Sequence, residues 1–116
     1  MEDIDKTSWL IPWEALNEEL RISVERELQK ELAHGHVLFG RKLCGLAHRR
    51  DCDDVLFQLN GSNQLAVVHL SFPRPGPDRP PFPSTEIFES FDLFVAERMK
   101  PDNDDWNWNG KPANIG

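Results

Sequence analysis

The chain is short of cysteine, short of cationic residues and without any long apolar run, and each shortage closes off a class of protein. Cys44 and Cys52 are the only two cysteines in 116 residues, too few for the disulfide framework of a small secreted domain. A reducing cytoplasm is therefore the expected setting. No apolar stretch approaches the roughly 20 residues that a membrane helix needs, and Met1 is followed by Glu2, Asp3 and Asp5 rather than by the basic start of an export signal. No membrane association is expected.

Lys and Arg number 13 against 20 Asp and Glu, a net charge of -7. Such a surface repels a phosphate backbone unless a basic face is segregated from the rest. Residues 1–33 carry 4 basic and 9 acidic groups, 34–83 carry 6 and 4, and 84–116 carry 3 and 7. The middle is only mildly basic, so nucleic acid is not an expected partner.

Catalytic signatures are missing as well. There is no Gly-x-Ser-x-Gly elbow, phosphate loop, Gly-x-Gly-x-x-Gly or His-Glu-x-x-His, and no cofactor is expected. His34, His36, His48 and His69, with the two cysteines, are the only candidate soft metal ligands, and Cys44-x7-Cys52 matches no zinc spacing. No metal site is expected. Strand alternation places Cys44 and His48 on one face, where Cys44 reads as a small buried hydrophobe rather than a nucleophile.

What is present indicates one α+β domain spanning 1–116, with an ordered core over about 9–101. Trp9, Leu10, Ile11 and Trp13 form an apolar cluster around Pro12. Asn17 before Glu18 and Glu19 is a helix start, its side chain able to accept an orphan N–H and the acids matching the helix dipole. Leu20, Val24, Leu28 and Leu32 then recur every four residues, an amphipathic helix of about four turns ending near Gly35.

Three strand-like runs follow, Lys42 to Arg49, Val55 to Asn60 and Leu65 to Phe72, separated by turn-rich sequence. They predict a three-stranded antiparallel meander, with Val55, Phe57 and Leu59 on one face. Six of the nine prolines lie between Pro73 and Pro83 and predict an extended surface loop. A short extended segment, Thr85 to Phe88, precedes a second helix capped by Ser90, with Phe91, Phe94, Val95 and Met99 on one face. Pro101 is expected to end it, leaving a polar tail from Asp102. Both helices are expected on one sheet face, over a core of Leu20, Val24, Leu28, Val55, Phe57, Leu59, Val67, Phe91, Phe94 and Val95.

The acidic clusters point to protein binding. Glu18 and Glu25 decorate the first helix, and Asp102, Asp104 and Asp105 precede Trp106 and Trp108. Acids interleaved with aromatics steer and then anchor a basic partner, since long-range attraction raises encounter and desolvated tryptophan supplies contact energy. The bland alternative is a solvated helix face and a polar tail. A hydrolase is the rival, with His48 or His69 as general base and Asp51, Asp53 or Asp54 orienting it. A structural or ligand-sensing domain is the third possibility.

The stretch Ala66-Val67-Val68-His69-Leu70-Ser71-Phe72, the proline loop, and Pro83-Ser84-Thr85-Glu86-Ile87-Phe88 leading into Phe91 to Met99 resemble a group of small uncharacterised bacterial α+β proteins over about residues 13–101. In size, charge and architecture the chain is also similar to toxin-immunity proteins. That second resemblance implies a cytoplasmic inhibitor binding a basic toxin, and it carries no functional residue with it.

Overall fold

The computed structural model describes residues 9–70 and 83–110, the last two of these by backbone only. The N-terminal residues before Trp9 and most of the proline-rich stretch lie outside the described residues, as do Ser71 and Phe72 of the third expected strand. Strand β1 (Trp13–Ala15) leads into helix α1 (Glu18–Glu31), followed by β2 (Leu43–Arg49), β3 (Asp54–Leu59), β4 (Leu65–His69) and β5 (Thr85–Phe88). A second helix then runs over 91–110, as α2 (Phe91–Phe94), a π-helical segment (Val95–Met99) and α3 (Lys100–Gly110).

All five strands join one antiparallel sheet in chain order. The expected meander is its centre, and β1 and β5 add an edge on each side. The helices do not share a face. Val24 and Leu28 pack with Val55, Phe57, Leu59, Ala66 and Val68, whereas Phe94 and Met99 pack with Trp13, Leu56, Leu65, Val67 and Phe88. Strand residues alternate between faces, so the apolar runs of β3 and β4 feed two cores, one under each helix. A strand apolar on both sides needs cover on both, which rules out the one-sided arrangement expected from sequence.

Helix α1 begins as expected, with the Asn17 side chain accepting from Leu20 N–H at 2.8 Å. It ends earlier, at an extended Leu32, and Gly35 takes its positive φ of 96° in the turn beyond. Leu20 is 42% exposed. It occupies the first turn, and the apolar cluster that buries Val24 and Leu28 does not reach it.

The second helix passes straight through Pro101. Proline removes an N–H donor and its ring collides with the carbonyl four residues back. Here the turn just ahead is widened: Lys100 N–H bonds to the Val95 carbonyl, five residues back, which makes room for the ring. Residues 102–110, expected as a polar tail, are therefore helical.

Helix α1 lies close against β2 at Gly45. A Cβ there would stand 2.9 Å from Leu16 Cδ1 and 3.3 Å from Val24 Cγ2, and the Gly45 N–H donates to Glu25 Oε2 at 2.8 Å. Gly45→Ala should displace the end of the Leu16 side chain and crowd Val24 of the helix, and lower stability by about 1 kcal/mol, read as a shifted urea midpoint. An unchanged midpoint would mean that Val24 does not press on Gly45.

Candidate functional site

Across the face under the second helix, Trp13 lies opposite Arg49, and Asp54 lies opposite His69. These positions sit at one end of the strands, where the apolar core of Leu56 and Val67 stops. Arg98 reaches down onto them from the helix. Its Nη2 donates to Asp54 Oδ2 at 2.9 Å, its Nη1 to Glu86 Oε1 at 2.6 Å and its Nε to Asp102 Oδ2 at 3.2 Å. The guanidinium also lies 5.7 Å from the centre of the Trp13 ring, within cation–π range. Asp102 accepts in addition from Trp13 Nε1 at 2.8 Å and lies 3.4 Å from Arg49 Nη1. Arg49 itself is paired with Asp51 at 2.7 Å.

Beside this network is a small recess of about 90 Å³, lined by Asp54, His69, Ser84, Thr85, Glu86 and Arg98 among others. His69 Nδ1 is 2.7 Å from Asp54 Oδ1, and the ring is more than half exposed. A carboxylate on Nδ1 fixes the imidazole so that Nε2 is the atom left to exchange a proton with a bound molecule. Burial pushes the Asp54 carboxyl up, but the hydrogen bonds from His69 and Arg98 outweigh it and hold the group below the ordinary carboxylate range. Burial likewise pulls Arg98 down, and its bonds to Asp54 and Glu86 more than reverse that. Both groups are firmly charged. Nε, Nη1 and Nη2 of Arg98 each already face a carboxylate, so among the described residues the recess offers an incoming anion no unengaged Arg or Lys.

The other histidine of the hydrolase hypothesis is elsewhere. His48 pairs with Glu14 on β1 at 3.3 Å, and Arg50 Nε approaches the same carboxylate at 3.7 Å. His48 lies opposite Val55 whereas Cys44 lies opposite Gln58, with an irregularity between Gly45 and Ala47. A bulge shifts the alternation by one residue, so Cys44 and His48 fall on opposite faces rather than together. Both cysteines are free thiols. Among the described residues no group of three or more His, Cys, Asp or Glu is placed to hold a metal ion.

The seven residues expected to meet a partner divide. Glu25 bonds Arg21 and the Gly45 backbone, and Asp102 is spent on Trp13, Arg98 and Arg49. Both serve the fold. Glu18 is solvent-facing and paired with Arg21 at 2.8 Å. Trp106 is half-buried, while Asp104, Asp105 and Trp108 are exposed on α3, Trp108 at 76%. Sequence reasoning missed Arg98 and Glu86. The i, i+4 spacing of Arg98 and Asp102 was a readable signal, hidden by ending the helix at Pro101.

Asp54 supplies a pH test. Its folded-state pKa lies below its ordinary value of 3.8, so its contribution to stability is complete above that value and is lost as pH falls through the folded value. Urea midpoints measured from pH 5 down to pH 2.5 should fall more steeply for the wild type than for Asp54→Asn. Parallel curves would contradict the assignment. At neutral pH Arg98→Met, which takes from half-buried Asp54 and Asp102 their shared cation and leaves them His69, Trp13 and Arg49, should cost about 2 kcal/mol.

No helix among the described residues is long and apolar enough to cross a membrane. Comparison with protein-family models, with curated proteins and with solved structures finds no match in any of the three.

Proposed function

We propose that this chain is a non-enzymatic protein-binding domain that uses the outer face of the 91–110 helix to engage a basic protein partner. The observation that carries this is Trp108, 76% exposed on an ordered helix that also presents Asp104 and Asp105 to solvent. An exposed tryptophan held on a helix loses little freedom on contact and brings a large area to it. The acids around it attract a cationic surface at long range. The resemblance to immunity proteins makes a basic toxin the partner class to test first, with the chain acting as its inhibitor.

The test is capture of the partner by the tagged chain from its native cells, followed by titration of the purified pair. Trp108→Ala and Asp104→Lys should each weaken binding by about tenfold, equivalent to about 1.4 kcal/mol, and added salt should slow association. Affinity unchanged in both variants, or a partner lacking a basic surface, would sink this reading.

A second reading rests on the 2.7 Å contact between His69 and Asp54 beside the recess. In a small hydrolase His69 Nε2 would take a proton from water, with Asp54 holding the ring. Any hydrolytic activity of the purified chain should then vanish in His69→Ala and persist in His48→Ala. Activity surviving the first substitution would remove His69 from consideration.

A further inference from the structure

The described chain carries its two most exposed apolar side chains, Trp108 at 76% and Val37 at 62%, on surfaces of opposite charge. Val37 stands at the tip of the loop between α1 and β2, next but one to Phe39, itself 42% exposed. The loop is built to hold that tip still. Leu38 between them is fully buried. His36 is buried with both ring nitrogens used, Nε2 donating to the Pro83 carbonyl at 2.9 Å and Nδ1 accepting from Leu38 N–H at 3.0 Å. The His34 ring lies 4.3 Å from that of Phe39, and Phe39 and Arg41 N–H groups bond back to the His36 and Leu38 carbonyls. A pre-ordered apolar tip binds with little loss of conformational freedom.

The tip is followed by Arg41 and Lys42, both exposed. Arg21, Lys30, Arg49, Arg50 and Arg98 sit in ion pairs, whereas Arg41 and Lys42, like the isolated Arg26 and Lys100, join none among the described residues. In a chain with 20 acids and net charge -7, two adjacent unpaired cations beside two exposed apolar side chains form a surface matched to an acidic, apolar one. The outer face of the second helix has that character: among the described residues Trp108, Asp104, which joins no ion pair there, and the exposed Asp92 and Glu97 are set against one exposed cation, Lys100.

One copy cannot bring the two surfaces together. The loop lies on the α1 side of the sheet and is tied at Pro83 to the β5 edge. The second helix covers the other side and is tied to the β1 edge through Asp102–Trp13 and Asn103–Ile11, at the far end of the strand order. We propose that the chain self-associates head to tail, the Val37–Phe39 tip and the Arg41–Lys42 pair of one copy seating on Trp108 and Asp104 of the next. Such a heterologous contact builds an open chain or a closed ring. It shares a helix face with the partner contact proposed above but needs no partner, so either can fail without the other.

The experiment is sedimentation velocity of the purified chain over a wide concentration range. The wild type should rise above its 13.4 kDa monomer mass at low ionic strength and return toward it at about 0.5 M salt. A loop variant, Val37→Ser with Phe39→Ser, and a helix variant, Asp104→Lys with Trp108→Ser, should each keep the wild-type circular dichroism and sediment as monomers. Mixed one to one, they should form a two-copy complex and nothing larger, because each retains one intact surface. A wild type that stays monomeric throughout, variants that associate like the wild type, or a mixture that forms no complex would each overturn the proposal.

Discussion

The Arg98 guanidinium is the polar junction of the second helix with the sheet, beside the apolar packing of Phe94 and Met99. Arg98 binds carboxylates from β3, β5 and its own helix and lies against the Trp13 ring of β1, so one side chain fixes the helix across the full width of five strands. Charges this far from water are costly unless each finds its counterpart, and the arrangement leaves neither Asp54 nor Asp102 without one. Arg49 supplies the second cation that three carboxylates in one place require. The small recess at His69 is a by-product of the same network, formed where the apolar core gives way to this polar end.

The geometry depends on a helix that does not stop at its proline. Asp102 has to sit one turn beyond Arg98 to reach Arg98, Trp13 and Arg49 together, and Pro101 lies between them. The π-helical turn at Val95–Met99 reconciles the two by moving the Lys100 hydrogen bond back to Val95. Because the helix continues, Asp104 and Trp108 are carried on a rigid element rather than a free end. The adaptation that completes the interlayer lock thus also creates the exposed acidic and aromatic surface on which the proposed contacts rest.

The acids consequently do two kinds of work. Glu25 and Asp102 face backbone or cationic groups of the same chain and position α1 and the second helix. Asp104 is exposed and joins no ion pair among the described residues. Residue type does not distinguish these roles; what does is whether a donor from another element comes within hydrogen-bond distance.

The sequence by itself determined the α+β class, the cap at Asn17, the three central strands and the turns between them, because each depends on neighbours a few residues away. It also named part of each core, Val24, Leu28, Val55, Phe57 and Leu59 in one and Val67 and Phe94 in the other, but placed the exposed Leu20 among them and left out Leu38, Leu56 and Leu65. Only the tertiary structure decided that the helices lie on opposite faces, since apolar runs in β3 and β4 are compatible with cover from either side until both helices are placed. The His69–Asp54 contact was among several equally readable pairings, and strand register alone selected it. Arg98 was missed for a different reason. Its i, i+4 partner Asp102 lies across a proline that reads as a helix end, and its other partners lie 44 and 12 residues away on separate strands, where no local pattern announces the meeting.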